Sequence, residues 1–565
     1  MATEGSVPNG HPTTWKIWEN PIVRRYARSR LRLRSLAVAL LITLMLAAFL
    51  FFIIRAGVDR PGTSRSDVAR APIIALLVLQ GLILFVLATG QMAAAMTAEA
   101  DEGVIDYQRL APMTPLAKVI GYLFGLPIRE YVLFLATMPF TLFCLVRGQV
   151  PMEFALQLYG VFLVAAILYH LTGLVAGTVV KNRRWAFLFS MGLVFILYTI
   201  VPQASKIGLV YFKYVTIEPV FKECLPHLLP REVGAGVQTL QNLVPPARFF
   251  NLDLPQAVFT LGTQFVLIAV LIGMLWRRWH RAESHLLGKV GATGLFAWVQ
   301  VMLLGNALPL IERGDVFPSS GMRRFFQFRE GGQEWAPEPM ETVFMAGAFG
   351  LVTLLMLWFM ISLITPNRDR QIRGWRRTRK LGQCSLSIGS DPATSFPWVA
   401  IMVIMGTGGW FWFTKEVIES DWFGGTEMPI EALGAFALVL TAGSFGYHAL
   451  LEGKGSRAAA FCAILGGAAP LLLGTVLAVT SQGLWPLAIW VMGISPLAGP
   501  LYATATVLPV ADLHPDLVRG VPRAFWFWQL VACLGTVDLL ARLRRSRRAI
   551  AQSSLSDGDH SPAGE

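Results

Sequence analysis

The stretch LAVALLITLMLAAFLFFIIRA, residues 36–56, decides the fold class of this chain. Arg55 is its only charged residue, and a helix of about 20 mostly apolar residues is long enough to cross the hydrocarbon core of a bilayer. Within that core each backbone N–H and C=O has to be bonded inside the protein, which restricts spanning segments to helices or closed barrels. The stretch therefore predicts a transmembrane helix.

Comparable apolar runs recur through the rest of the chain. They lie near residues 72–96, 128–146, 154–180, 185–203, 255–276, 291–311, 343–365, 397–414, 429–451, 458–480, 484–508 and 524–541. The run at 484–508 contains Pro486, Pro496 and Pro500, which interrupt a helix, so we expect this run not to cross. The predicted fold is an all-α, polytopic transmembrane bundle with about 12 spans.

Composition agrees with a membrane protein. Of 565 residues, 54% are hydrophobic and 15% are charged, whereas about a quarter of the residues in a soluble protein are charged. The net charge of +13 lies in short clusters beside apolar runs, as orientation signals do, so we expect no nucleic-acid partner. Polar residues inside the spans, such as Gln80 and His170, are sparse and suit interhelical hydrogen bonds better than a proton relay.

Clusters of arginine and lysine orient the chain. One extends from Arg24 to Arg34 before the first span, and others follow at 181–184, 277–281 and 368–380. Positively charged residues favour the cytoplasmic side of a membrane. Alternation from a cytoplasmic N-terminus places all of these clusters inside, in the inner (plasma) membrane.

No motif for catalysis is present in the sequence. A phosphate-binding loop needs two glycines before Lys and then Ser or Thr, and GKV at 288–290 and GKG at 453–455 lack this pattern. Ser495 is followed by proline, unlike the nucleophile of an intramembrane serine protease. We therefore expect no enzyme activity, no catalytic residue, no metal and no cofactor in this chain, and ATP, if used, would be bound by a partner subunit.

The most informative stretch is EADEGVIDYQRLAPMTPLAKVIGYLFGLP, residues 99–127, between the second and third predicted spans. Its acidic residues are expected near the start of a short helix, where the helix dipole favours negative charge. They are Glu99, Asp101, Glu102 and Asp106.

Proline and threonine residues are expected to end that helix and start the next one. Pro112 ends the first, because the residue before a proline avoids the helical conformation. Thr114 and Pro115 suit the cap and first turn of the second. We call residues 99–121 the elbow. Its short helix is available to a cytoplasmic partner, and a capped connector without a partner is the alternative interpretation.

This stretch resembles the segment that joins the second and third spans in permease subunits of ABC transporters of the type-2 exporter family. The matching positions are Glu99, Glu102, Gly103, Asp106, Leu110, Pro112, Met113, Thr114 and Gly121, while Val104 and Tyr122 replace the usual Thr and Lys. The segment 19–25 resembles the amphipathic helix that precedes the first span in that family.

The resemblance implies that a separate cytoplasmic ABC ATPase subunit binds the elbow. The residues expected to couple it to the membrane are Glu99, Asp101, Glu102, Gly103, Asp106, Leu110, Pro112, Met113, Thr114, Pro115 and Gly121. The predicted function is the permease component of an ATP-driven exporter. A non-transporting membrane scaffold or assembly factor that docks a cytoplasmic partner is the alternative.

Four regions follow from these patterns. They are a basic N-terminal segment (1–34), a six-span permease-like unit (35–280), a second transmembrane bundle (281–545) and a polar, disordered tail (546–565). The second bundle has no acidic elbow and is either a diverged permease half or an accessory bundle. A homodimer and a pairing with a second permease subunit both remain open. The outer segment 204–254 suits either short interfacial helices or an ordinary loop.

Overall fold

The computed structural model describes residues 17–180, 182–230, 247–281, 284–312, 339–382, 386–420, 427–508 and 515–556. Within these residues, 12 helices are long and apolar enough to cross a membrane. Each predicted run except 484–508 corresponds to one of these helices. The protein is therefore an all-α, polytopic membrane protein.

The chain divides into two compact units. Unit 1 comprises residues 1–204, 212–247 and 253–284, and unit 2 comprises 205–211, 248–252 and 285–565. The α-helices of unit 1 are α1 (Pro21–Arg30), α2 (Leu33–Val58), α3 (Arg65–Arg70), α4 (Ile73–Gly81), α5 (Thr89–Asp101), α6 (Val104–Leu110), α7 (Pro115–Gly125), α8 (Ile128–Arg147), α9 (Met152–Val179), α10 (Arg183–Thr199), α11 (Glu218–Leu228) and α12 (Gln256–His280).

The α-helices of unit 2 include one long C-terminal helix. They are α13 (Lys289–Glu312), α14 (Pro339–Ile364), α15 (Arg368–Lys380), α16 (Phe396–Glu419), α17 (Glu431–Lys454), α18 (Ser456–Ala463), α19 (Ala469–Thr480), α20 (Trp485–Gly493), α21 (Gly499–Val507) and α22 (Pro515–Ser556). The predicted disordered tail starts at 546, whereas α22 continues to Ser556, and residues 557–565 lie outside the described residues.

Several shorter elements complete the chain. Two π-helical segments, Leu82–Ala88 and Ile464–Ala468, lie inside the second and eleventh spans. The 3-10 helices are Ile17–Glu19, Val201–Ile207, Val210–Val215 and Gln482–Leu484. The strands β1 (Arg248–Phe249) and β2 (Leu252–Asp253) form a two-stranded sheet. The segment 204–254 thus contains short helices, with residues 231–246 outside the described part.

The proline-rich run at 484–508 breaks as predicted. It folds into α20 and α21, each of nine residues. At about 1.5 Å per residue, neither is long enough to cross a hydrocarbon core about 30 Å thick. The expected count of about 12 spans is therefore confirmed.

Small residues bring two helices of unit 1 into close contact. Gly173 and Gly177 of α9 are four residues apart, and a Cβ atom on either would lie 2.7 Å from a backbone oxygen of α5, that of Thr89 or Ala93. This spacing is a known device by which membrane helices approach each other, since the driving force there is packing and not exclusion of water. Helix α5, which leads into the elbow, is thereby seated on α9.

Gln80 and His170 of the unit 1 spans form interhelical hydrogen bonds, as predicted. Gln80 of α4 donates to Thr137 Oγ1 and Thr141 Oγ1 of α8, both at 3.0 Å, and accepts from the Tyr159 hydroxyl at 2.8 Å. His170 lies 3.0 Å from the Tyr131 hydroxyl and 2.9 Å from the Leu84 carbonyl oxygen. Satisfied in this way, the buried polar groups add specificity to the packing.

In unit 2, the indole of Trp410 is the centre of an aromatic core. Its ring stacks on Phe436 with centroids 3.8 Å apart, and its Nε1–H donates to the Ala346 carbonyl oxygen at 2.7 Å. The close approach requires Gly350, because a Cβ atom there would lie 2.4 Å from the indole. Helices α14, α16 and α17 therefore meet around this side chain.

Candidate functional site: the elbow

The elbow folds as two helices joined by a tight turn. Gly103 has a φ of +71°, a left-handed conformation that ends α5 and that glycine adopts without strain. Helix α6 then extends to Leu110. Thr114 caps α7, its Oγ1 accepting from the Ala117 N–H at 3.2 Å, and Pro115 occupies the first turn. The predicted helix end, cap and first turn are confirmed.

Four acids were expected near the start of the short helix, but only Asp106 lies in its first turn, which corrects this prediction. Glu99 and Asp101 belong to the last turn of α5, Glu102 is its C-cap, and Asp106 lies in the first turn of α6. The span helix continues beyond its apolar run until glycine ends it. A carboxylate at a helix C-terminus opposes the helix dipole, so Glu99 requires compensating donors.

The Glu99 carboxylate is buried, with an exposed fraction of 7%, and three hydrogen-bond donors contact it. The hydroxyls of Tyr26 on α1 and Tyr122 on α7 both donate to it, and Arg25 Nη2 lies 2.9 Å from Oε1. Burial, and then the Glu99 charge, raises the pKa of both tyrosines above the ordinary value near 10, so both remain protonated donors. Glu99 thus joins α1, α5 and α7 at one point.

Helix α1 also docks on α7 through a small-residue surface. The Asn20 side chain donates to the Ala117 carbonyl oxygen at 2.8 Å and accepts from the Ile22 N–H at 3.0 Å, which caps α1. A Cβ atom at Gly121 would lie 2.8 Å from Asn20 Oδ1 and 2.9 Å from Ile22 Cβ. Glycine is therefore required at position 121 for the two helices to approach this closely.

Helix α7 of the elbow contacts both α6 and α12. Lys118 Nζ donates to the carbonyl oxygens of Arg109 at 3.4 Å and Ala111 at 3.3 Å, at the C-terminal end of α6. Burial, and then the charge of Arg109, lowers the pKa of Lys118. The ring of Trp279 in α12 stacks on Tyr122 with centroids 5.3 Å apart. The C-terminal end of the short helix is thus bonded to α7, and α7 is packed against α12.

The opposite face of the elbow is exposed and combines negative charge with apolar groups. The exposed acids are Asp101, Glu102 and Asp106, the last paired with Arg109. Tyr107 is 77% exposed and Leu110 is 84% exposed. Exposed large apolar side chains together with exposed acids are typical of a protein-binding surface. In such a surface, aromatic and aliphatic side chains supply affinity and charges supply orientation.

The predicted coupling residues therefore separate into three groups by location. Those on the exposed face are Asp101, Glu102, Gly103, Asp106, Leu110, Pro112 and Thr114. Met113 and Pro115 are half-buried, and Glu99 and Gly121 are buried. The last two cannot touch a partner directly and instead position the elbow.

Several residues of this site were not singled out by the sequence. Tyr26, Lys118 and Trp279 had no motif to mark them, because each acts through a contact distant in the chain. Tyr122 was noted only as a departure from the resembled pattern, and it is the residue that stacks on α12 and donates to Glu99. Across the described residues, no group of three or more His, Cys, Asp or Glu side chains is placed to hold a metal ion.

Comparison with known proteins gives no match for this chain among protein-family models, curated proteins or solved structures.

Proposed function

We propose that this polytopic membrane protein is the transmembrane permease subunit of an ATP-driven exporter, and that a separate ATPase subunit binds the elbow. The observation that carries the proposal is the two-faced construction of residues 99–121. One face presents acids and two large apolar side chains to solvent, and the other is bonded to α1, α5 and α12. The resemblance to type-2 ABC exporter permeases supports the same assignment.

The exposed face suggests the chemistry of the partner. Glu102 and Asp106 favour a basic rim on the ATPase subunit, and Leu110 favours an apolar pocket inside that rim. Charge pairs at the edge of an interface govern orientation and association rate, whereas a buried apolar anchor supplies most of the affinity. The elbow would therefore insert Leu110 and Tyr107 into a groove of the partner.

The contacts also provide a mechanical path from the elbow to the spans. A displacement of α6 reaches α7 through the bonds of Lys118 to the carbonyl oxygens of Arg109 and Ala111. The Tyr122 hydroxyl of α7 in turn donates to the Glu99 carboxylate of α5. Helix α5 is seated on α9 through Gly173 and Gly177. Motion of the ATPase subunit would thus shift the second and fourth spans together, and packed helices respond to such a shift as a rigid body.

The proposed orientation has the elbow in the cytoplasm of a cell with a plasma (inner) membrane. Basic residues of unit 1 gather at the same end as the elbow. Arg25 bonds Glu99, and Arg109 of the elbow donates to the Arg278 carbonyl oxygen at 3.4 Å. Such residues favour the cytoplasmic side, which is where an ATPase subunit has access to ATP.

The test is isolation of the tagged full-length chain from its native membrane, with identification of companion proteins and measurement of ATP turnover. Wild type should retain an ATPase subunit. The variant E102K/D106K should lose it, because both substitutions reverse charge on the exposed face. The control E427K/E431K makes the same charge change at two exposed acids of unit 2 and should retain it.

Two results would count against the proposal. One is a purified complex without any ATPase subunit, and the other is unchanged ATP turnover in E102K/D106K. If the elbow variant instead loses a companion that does not hydrolyse ATP, the chain is a docking scaffold. The variant Leu110→Ala separates the two contributions to the contact, since it removes an apolar anchor without changing charge.

A further inference from the structure

Four arginines of unit 1 line one cavity of about 670 Å³. They are Arg30 at the end of α1, Arg129 at the start of α8, and Arg183 and Arg184 in the first turn of α10. A volume of this size lies in the range of small-molecule binding sites. Three separate helices thus contribute four arginines, which are always charged, to the wall of one cavity.

The carboxylates and amides nearby neutralise only part of this charge. Arg129 pairs with Glu130 at 2.9 Å, and Arg30 donates to Gln91 Oε1 at 2.9 Å. No carboxylate is among the residues that line the cavity in the described part of the chain. The arrangement therefore holds an excess of positive charge.

The placement of Arg183 and Arg184 adds to this excess. A helix N-terminus carries a partial positive charge and disfavours cations, yet both arginines are in the first turn of α10. Their side chains are exposed, and the cap of the helix is supplied by Asn182, whose Oδ1 accepts from the Arg184 N–H at 3.0 Å. The arginines are thus not needed to start the helix, and an anion beside them would relieve the repulsion.

Apolar groups form the remainder of the cavity wall. They are Ala94 and Ala95 on α5 and Phe187 and Leu188 on α10. Leu188 is 56% exposed. Only 18% of the most apolar part of this span is buried within the protein, so most of it is not covered by the other helices of the chain. The cavity therefore combines a cationic end with an apolar wall bordering the bilayer.

We propose that this cavity binds an anionic phospholipid of the surrounding leaflet. The phosphate would lie among the guanidiniums, since Arg offers paired N–H donors to phosphate oxygens. An acyl chain would lie along Phe187 and Leu188. The site binds the lipid from the leaflet on the side of the elbow, and it does so whether or not the chain is an exporter.

The test uses the full-length chain reconstituted in vesicles of equimolar dioleoylphosphatidylglycerol and dioleoylphosphatidylcholine. After extraction into mild detergent, retained lipid is counted by native mass spectrometry. Wild type should retain the phosphatidylglycerol in preference to the phosphatidylcholine. The variant R183Q/R184Q should bind it about tenfold more weakly, since two charge-assisted contacts are lost.

Matched variants separate this site from general attraction to a basic surface. R32Q/R34Q removes the same charge from two exposed arginines that precede the first span and do not line the cavity, and it should bind the lipid as wild type does. R183K/R184K keeps the charge and should retain part of the binding. Thermal midpoints of all variants report whether each remains folded.

Several outcomes would overturn the proposal. Equal retention of the two lipids would show that charge is not recognised. An equal loss in R32Q/R34Q would show that any basic residue at this end suffices. Displacement of the phosphatidylglycerol by millimolar inorganic phosphate would assign the cavity to a free anion and not to an amphiphile.

Discussion

Removal of the Glu99 carboxylate should release helix α1 from the rest of unit 1. In Glu99→Ala the buried hydroxyl of Tyr26 loses its acceptor, and a hydrogen bond to a charged group contributes about 1.5 to 3 kcal/mol. The loss at Tyr122 is smaller, because Gln108 Oε1 lies 2.6 Å from the same hydroxyl. Arg25 is half-exposed, so its ion pair adds only about 0 to 1 kcal/mol.

The sum is about 1.5 to 4 kcal/mol, which corresponds to a roughly 10- to 700-fold increase in the open population of α1. Hydrogen exchange of the backbone amides of Pro21–Arg30, measured by mass spectrometry in lipid nanodiscs, reports this opening directly. Exchange should accelerate by that factor in α1. It should change much less in α9, which does not contact the carboxylate.

The control is Asp101→Ala, which removes an exposed carboxylate from the same helical turn. It should leave exchange in α1 at the wild-type rate. A double-mutant cycle adds a second check: Tyr26→Phe should cost little in the Glu99→Ala background, since the two residues share one interaction. The reasoning is refuted if Glu99→Ala leaves α1 protected or if Asp101→Ala exposes it equally.

Two further predictions concern packing and pH. Gly121→Ala should lower the free energy of unfolding of unit 1 by about 1 to 3 kcal/mol, because the new methyl group would contact Asn20. Gly160→Ala is the control and should not lower it, because the space around its Cβ position is open. His285 of unit 2 is 6% exposed, and burial, opposed in part by Asp391, lowers its pKa. Below about pH 6.5 the unfolded chain therefore binds more protons than the folded chain. The stability of unit 2 should fall when thermal unfolding is measured from pH 7 to pH 5. The variant His285→Asn should reduce the slope of stability against pH. An unchanged slope would exclude His285 as the titrating group.

Local signals were sufficient for the elements of the elbow. A threonine followed by a proline marks the start of α7, and a proline two residues after Leu110 marks the end of α6. Each depends on contacts within a few residues, so the sequence reports it directly. The sequence pattern predicts too early an end for α5. Glu99 and Asp101 belong to this span helix, which continues until Gly103 ends it.

The amino-acid sequence alone determined the membrane-spanning segments. Lipid cannot bond to a backbone amide, so a long apolar run has to be a helix wherever it occurs. The prolines of the run at 484–508 divide it into two short helices. Tertiary structure decided which acid of the elbow is buried and which arginines converge. Glu99 and Glu102 differ by three positions, yet Glu99 is buried and Glu102 is exposed. The difference arises because α1 and α7 supply donors to Glu99. One cavity is lined by Arg30, Arg129 and Arg183 only when their helices pack, and no signal within a short stretch of sequence encodes this arrangement.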